Sequence, residues 1–181
     1  MKKQGEIIME QTCSKRQLFA VLIFGFVIAA FGGWLYEEAC VYLIYHKIYN
    51  RGMLHLTLCP IYGFGAWILY LLLHKVRNSV LFFLLSTAIA SAFEYGCALL
   101  LEHFLHRSYW TYSGWPLSVH DRISLVSSLI FGLLAVLFAK GILPKLTSAV
   151  KRGNATKSAV AAGCILSVII TDFLIVLCGM D

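Results

Sequence analysis

Residues 79–105 read SVLFFLLSTAIASAFEYGCALLLEHFL, and this stretch establishes the class of the protein. It contains no lysine, arginine or proline, and its only carboxylates are Glu94 and Glu102. About 20 predominantly apolar residues in a helix suffice to cross the hydrocarbon core of a bilayer, and this stretch is longer than that. We therefore predict a transmembrane helix over residues 79–105.

The composition of the whole chain indicates the same class. Of its 181 residues, 60% are hydrophobic and 13% are charged, whereas a soluble domain carries roughly a quarter charged residues. The net charge of +6 could suggest a nucleic-acid partner, but the basic residues lie between apolar runs, as membrane topology requires. We predict an all-α, polytopic membrane helix bundle of about five transmembrane helices, without a nucleic-acid partner.

The apolar runs divide the chain into segments. The predicted helices cover residues 17–45, 60–74, 79–105, 123–140 and 158–178. They define a cytoplasmic N-terminal segment (1–16), a four-helix membrane core (17–140), a basic cytoplasmic loop (141–157) and a fifth transmembrane segment (158–181). The basic loop shows no obvious amphipathic helix on which a partner protein could dock.

The distribution of lysine and arginine predicts the orientation. Most of the 15 such residues lie in the segments that become internal when the N-terminus is cytoplasmic. We expect a multi-pass protein of the cell membrane, with the N-terminus cytoplasmic, the C-terminus outside and the two polar loops facing outward.

Three residues of the first half, an acid, an arginine and a proline, recur 56 residues later in the second half. The pairs are Glu38 and Glu94, Arg51 and Arg107, and Pro60 and Pro116. Because a carboxylate is costly near hydrocarbon, an acid that recurs with a matching arginine indicates duplication. We predict that helices 1–2 and 3–4 form a parallel repeat, with halves at 17–74 and 79–140.

Glu94 is the strongest candidate for a functional residue. It lies about 22 Å along its predicted helix, well inside the membrane, where a carboxylate needs a partner, a water-filled cavity or a proton. Arg51, Arg107 and Arg122 are the available cations. A structural Glu–Arg pair that joins the hairpins explains the pattern as well as a functional site does.

Aromatic and polar residues crowd the segment 107–122. Arginine binds phosphate or carboxylate as a fork, and aromatic rings can cover an acyl chain or a sugar, so a lipid headgroup or another amphipathic anion fits this mixture. Either Glu37 or Glu38 could be the acid of the first helix. The predicted substrate-binding residues are Glu37, Glu38, Asn50, Arg51, Glu94, Glu102, Arg107, Trp110, Tyr112 and Arg122. We assign no catalytic residue, and we expect neither a metal site nor a cofactor.

Seven short motifs resemble one known family. They are GWLYE (33–37), NRG (50–52), PIYGFG (60–65), EY (94–95), LE (101–102), RSYWTYS (107–113) and RIS (122–124). Over roughly residues 19–138 the chain resembles the family called putative ABC-transporter type IV, or CmpB-like, and it is also similar to the transmembrane protein 229 group. The resemblance implies a permease, and it favours Glu37 over Glu38. Tyr109 and Thr111 depart from the family pattern, which has a second tryptophan and an aspartate in this motif.

These observations favour transport over catalysis. The first hypothesis is a permease-like protein that handles a lipid or amphipathic anionic substrate at an outward-facing polar site, with membrane lipid as a partner. A homo-oligomer and an ATPase subunit are further candidate partners. One alternative is an intramembrane enzyme that acts on a lipid or a lipid-linked headgroup, with Glu94 or Glu102 as the general base. Another is a structural subunit of a membrane complex.

Overall fold

The structure is a computed structural model that describes residues 13–46 and 54–179. These residues belong to two compact units. The first unit contains residues 13–46, 54–63 and 142–179, and the second contains Phe64–Gly141.

Helices make up nearly all of the regular structure. They are α1 (Lys15–Tyr45), α2 (Pro60–Leu73), α3 (Ser79–Leu105), α4 (Leu125–Val136), a π-helical segment (Leu137–Ile142), α5 (Leu143–Arg152) and α6 (Ala155–Cys178). Two short strands, β1 (Ser118–Val119) and β2 (Ile123–Ser124), pair in antiparallel fashion before α4.

Four helical stretches of the described chain are long and apolar enough to cross a membrane. They are Lys15–Leu43, Ser79–Leu105, Leu125–Arg152 and Ala155–Cys178. The predicted all-α membrane helix bundle is confirmed. The remaining predicted span, α2, has 14 residues and rises about 21 Å, which is less than the thickness of the hydrocarbon core.

A side-chain cap marks the start of α3, and left-handed backbone marks the ends of α1 and α3. Asn78 starts α3 by accepting hydrogen bonds from the backbone N–H groups of Val80 and Leu81. The helix ends at His106, which adopts a left-handed conformation with φ 51°, and α1 ends in the same way at His46. The bounds predicted for α3 therefore match the structure residue for residue.

α1 is the centre of the first unit, where it packs against α5 and α6. The start of α2 approaches α1 closely because both helices have a glycine at the contact. The Tyr62 ring occupies the space that a Cβ atom on Gly33 would need, and the Phe26 ring does the same at Gly63. The backbone N–H of Cys59 also donates to the carbonyl oxygen of Ala30 at 3.0 Å. These contacts fix the start of α2 against α1.

Asp172 of α6 holds the segment that precedes α2. Its Oδ1 lies 2.9 Å from His55 Nδ1, and its Oδ2 accepts the backbone N–H of Leu56 at 3.2 Å. Beside this contact lies an apolar groove of about 320 Å³, lined by Val27, Leu56, Leu58, Cys164, Ile165, Val168 and Ile169. The intramembrane acid of α6 therefore anchors a backbone segment within its own unit.

The second unit is built around the contact between α3 and α4. Gly132 of α4 lies against the Thr87 side chain and the Phe83 ring, and a Cβ atom there would overlap the Thr87 hydroxyl. The Ser91 hydroxyl donates to the Ser128 hydroxyl at 2.7 Å across the same seam. Small and hydroxyl-bearing residues of this kind let membrane helices pack closely.

The segment 141–157 differs from the loop that the sequence suggests, because it contains α5. The expectation that this segment has no amphipathic helix is wrong. Leu143, Thr147 and Val150 recur at helical spacing and are buried, while Lys145 and Arg152 are exposed. The burial of Leu143 and Val150, and the hydrogen bond of the Thr147 hydroxyl to the Leu143 carbonyl oxygen at 2.8 Å, stabilise the helix.

The two prolines that are 56 residues apart do not occupy equivalent positions in the structure. Pro60 is the first residue of α2, where its missing N–H costs nothing. Pro116 instead lies in the connection before β1, and the following helix begins only at Leu125. The pairing of Pro60 with Pro116 is therefore wrong, and the duplication stays a prediction.

Candidate functional site

Two acids on one face of α3 form the centre of the candidate site. Glu94 and Glu102 are eight residues apart, which places them on the same side of the helix about 12 Å from each other along its axis. Each acid is contacted by the aromatic loop, which we define as residues 106–124. The loop thus covers the C-terminal half of α3.

Glu94 is buried, with 6% of its surface exposed. The hydroxyl of Tyr112, from the aromatic loop, donates to Glu94 Oε1 at 2.7 Å. The Tyr112 ring packs edge-on against the Trp115 ring, with 5.4 Å between the ring centroids. An acid inside an apolar helix therefore receives a hydrogen bond from a side chain that is itself held by packing.

Glu102 forms an ion pair with Arg122. The Nη2 and Nε atoms of Arg122 donate to Glu102 Oε2 at 2.6 and 3.1 Å. Arg122 precedes the α4 span, and its hydrogen bond to Glu102 raises the pKa of the guanidinium above its usual value. Arg122 is therefore a fixed cation that already holds one carboxylate.

The aromatic loop has a defined internal structure. Trp110 Nε1 donates to the carbonyl oxygen of Arg122 at 3.1 Å, and the backbone N–H of Tyr112 donates to the carbonyl oxygen of Asp121 at 2.8 Å. His120 and Asp121 have positive φ angles, an uncommon conformation for residues other than glycine. The loop therefore folds back on itself and places Tyr112 and Arg122 over α3.

Tyr95 and His120 extend the site beyond the two acids. The Tyr95 hydroxyl lies 2.9 Å from His120 Nδ1, and the Arg122 guanidinium carbon lies 5.8 Å from the centroid of the Tyr95 ring. The carbonyl oxygen of His120 also accepts a long hydrogen bond from Arg122 Nη1 at 3.4 Å. Arg122 is thus held by a carboxylate, an aromatic face and a backbone carbonyl.

Arg107 lies at the edge of the site with its side chain exposed. It borders a narrow crevice, too tight in this conformation to hold a water molecule, that is also lined by Ala98, Leu101, Glu102, Ser108, Tyr109 and Trp110. The crevice combines a cation, a carboxylate and two aromatic rings, which are groups that recognise an anionic headgroup. Within residues 13–46 and 54–179, no three His, Cys, Asp or Glu side chains are grouped as ligands of a metal ion.

Comparison with known proteins identifies the family. A family model described as Putative ABC-transporter type IV matches residues 24–177. The chain belongs to this family. The predicted resemblance to the putative ABC-transporter type IV family is therefore confirmed, and the protein is a multi-pass membrane protein of the ABC-transporter-like class. No curated protein and no solved structure matches the chain.

In this member of the putative ABC-transporter type IV family, the predicted site residues fall into three groups. Those that the structure brings together in the second unit are Glu94, Glu102, Trp110, Tyr112 and Arg122, with Arg107 at the edge. Glu37 and Glu38 lie on α1 in the first unit, and both are partly buried. Asn50 and Arg51 lie outside the described residues. Of the three arginines that the sequence offered to Glu94, Arg122 contacts Glu102 instead.

Tyr95 and His120 are not among the predicted substrate-binding residues, although both contact groups of the candidate site. Tyr95 adjoins Glu94 in one of the family-like motifs, which was a usable signal. His120 lies beside Asp121 in the aromatic loop, and its position in the sequence does not predict a contact with Tyr95. Its position depends on the left-handed backbone at residues 120 and 121.

Proposed function

We propose that this protein is a permease-like integral protein of the cell membrane that handles a lipid or amphipathic anionic substrate. The proposed site is the polar face of α3 under the aromatic loop. One observation carries the proposal: two acids of this face are each held by a side chain of the loop, Glu94 by Tyr112 and Glu102 by Arg122.

The Glu102–Arg122 pair favours an anionic substrate. A guanidinium binds carboxylate and phosphate with the same fork geometry, so an incoming anion can take the place of Glu102 on Arg122. Exposed Arg107 offers a second positive charge next to the same carboxylate. Trp110 and Tyr109 supply apolar surface for the part of an amphipathic molecule next to its headgroup.

The burial of Glu94 favours passage through the membrane over binding at its surface. Ionisable side chains inside membrane helices commonly line the paths of substrates and ions. In the proposed cycle, anion binding at Arg122 releases the aromatic loop from Glu102, and opening of the loop then separates Tyr112 from Glu94. The polar face of α3 becomes accessible as a result.

The topology and the partners belong to the same proposal. With five crossings, the short α2 included, the N-terminus is cytoplasmic, the C-terminus is outside and the aromatic loop faces outward, because most lysine and arginine residues then lie on the inner side. A homo-oligomer would enlarge the path for the substrate. The family description suggests an ATPase subunit as a further partner.

Native mass spectrometry of the gently solubilised protein tests substrate class and partners together. The wild-type protein should retain an anionic amphiphile, and Arg107→Ala should lose it. Arg77→Ala is the matched control, since Arg77 is also exposed in the second unit but lies outside the site. Recovery of only neutral lipids, or equal loss from both variants, would contradict the proposal. A co-purifying ATPase would make the chain a subunit of an ABC transporter.

The Tyr95–His120 contact supports a second candidate, an intramembrane enzyme that acts on a lipid headgroup. A histidine within 2.9 Å of a phenol, next to an arginine, can exchange a proton near a bound phosphate. This candidate predicts a covalently altered lipid in cells that overproduce the protein. The altered lipid should be absent from cells that overproduce the Glu102→Ala variant. An unchanged lipid profile in cells that overproduce the wild-type protein would exclude it.

A further inference from the structure

The charges of the first unit are separated along its length. Among its described residues, all the lysines and arginines lie near the start of α1, along α5 and near the start of α6: Lys15, Arg16, Lys145, Lys151, Arg152 and Lys157. Its described acids are Glu37, Glu38 and Asp172. Glu37 lies about 30 Å along α1 from Arg16, and Asp172 lies about 22 Å along α6 from Lys157.

Two contacts bring the three basic segments together. Arg16 Nη1 donates to the Thr156 hydroxyl at 2.9 Å and so joins the start of α1 to the start of α6. Gln17 Nε2 donates to the carbonyl oxygen of Lys151 at 3.4 Å and joins α1 to the end of α5. We call the surface formed by these six lysine and arginine residues the basic end.

The way in which α5 packs keeps its charges available. Leu143, Thr147 and Val150 are buried, which turns Lys145 and Arg152 towards solvent. None of the first turns of α1, α5 and α6 contains an acidic residue. The basic end is therefore a concentrated positive surface that no described carboxylate of this unit neutralises.

The surroundings of the basic end indicate which anion it meets. Leu18, two residues after Arg16, is 37% exposed, and Val160, three residues after Lys157, is 61% exposed. Apolar surface of this kind on a transmembrane helix faces lipid chains. The phosphates of the same lipids then lie level with the adjoining basic side chains, which favours a lipid surface over a protein partner.

We propose that the basic end binds the headgroups of anionic phospholipids in the membrane that the protein spans. This site is separate in its residues from the proposed substrate site on α3, and it does not depend on the transport proposal. Each lysine or arginine close to an anionic membrane surface strengthens association by about fivefold. Removal of two should weaken the binding of an anionic lipid by about 25-fold, and added salt should weaken it further.

The test uses the full-length protein in an uncharged detergent, with Arg107→Ala as the parent background so that the proposed substrate site on α3 does not bind the anionic lipid. Its thermal midpoint is followed during titration with dioctanoyl phosphatidylglycerol, dioctanoyl phosphatidylcholine or inorganic phosphate, and the stabilisation gives an apparent affinity. The test variant is Lys145→Ala/Arg152→Ala. The matched control is Lys75→Ala/Arg77→Ala, which also removes two exposed positive charges but from the second unit.

The proposal expects phosphatidylglycerol to stabilise the parent and control proteins, with about 25-fold weaker apparent affinity in the test variant. Equal stabilisation by phosphatidylcholine, or an equal loss of affinity in both variants, would overturn it. Stabilisation by inorganic phosphate alone would assign the surface to a soluble anion. Release of a co-purified acidic protein by the test variant, with an unchanged lipid response, would assign it to a protein partner.

Discussion

Replacement of Tyr112 by phenylalanine removes one hydroxyl and keeps the ring contact with Trp115. That hydroxyl donates to Glu94 Oε1 at 2.7 Å, and Glu94 is only 6% exposed, so bulk water is poorly placed to replace the lost donor. With Glu94 ionised, this hydrogen bond contributes about 1.5–3 kcal/mol. We expect Tyr112→Phe to lower the free energy of unfolding by about 2 kcal/mol, or roughly a thirtyfold change in the equilibrium constant.

A double-mutant cycle separates this hydrogen bond from other effects of the substitution. In a Glu94→Gln background the acceptor is neutral, so Tyr112→Phe should cost only about 1 kcal/mol. Unfolding is followed by circular dichroism as sodium dodecyl sulfate is added to protein in mixed micelles. Tyr109→Phe is the control, because among the described residues the Tyr109 hydroxyl makes no hydrogen bond. A cost below about 0.5 kcal/mol for Tyr112→Phe, or no coupling to Glu94, would refute the reasoning.

Two further predictions concern packing and the anchored segment. Gly132→Ala places a methyl group on the Thr87 hydroxyl and should destabilise the protein by about 1–3 kcal/mol in the same assay, whereas Gly96→Ala, with no described neighbour within 4 Å, should be neutral or stabilising. Equal effects would show that α3 and α4 do not approach closely at Gly132. Asp172→Ala removes the acceptor of the Leu56 amide and should speed its hydrogen exchange about tenfold. Asp172→Asn keeps one side-chain oxygen, so its exchange rate should lie between those of the wild-type protein and Asp172→Ala. Unchanged exchange with Asp172→Ala would mean that Asp172 does not anchor this segment.

The long helices could be predicted because their ends carry readable signals. Asn78 is a typical N-cap, and an apolar run without charge follows it up to Glu94. α5 is hard to predict from the sequence because Gly141 and Pro144, which are typical helix breakers, follow Lys140. The structure continues through this point with a π-helical turn at Leu137–Ile142, and Pro144 lies in the first turn of α5. The wider turn tolerates a proline that an unbroken α-helix would exclude.

The two acids of the candidate site could be predicted from the sequence pattern of α3. Helical spacing places Glu94 and Glu102 on one face of α3, whatever the loop does. The partners could not be paired from the sequence, because they depend on the path of the aromatic loop. That path requires left-handed backbone at Leu117, His120 and Asp121, and none of these is glycine. The assignment of Arg122 to Glu102 therefore needed the structure.

The most direct test of the proposed function measures the flux of a fluorescent phosphatidylglycerol across proteoliposome membranes. It shows whether an anionic amphiphile crosses the membrane along the polar face of α3. The proposed function predicts flux with the wild-type protein, loss of most of it with Glu94→Gln, and full flux with Asp121→Asn. Asp121 is a matched control, because it is exposed, contacts Ser118 in the same loop, and has a left-handed conformation that asparagine adopts readily. Absence of flux with the wild-type protein, or equal flux with Glu94→Gln, would contradict the proposed function.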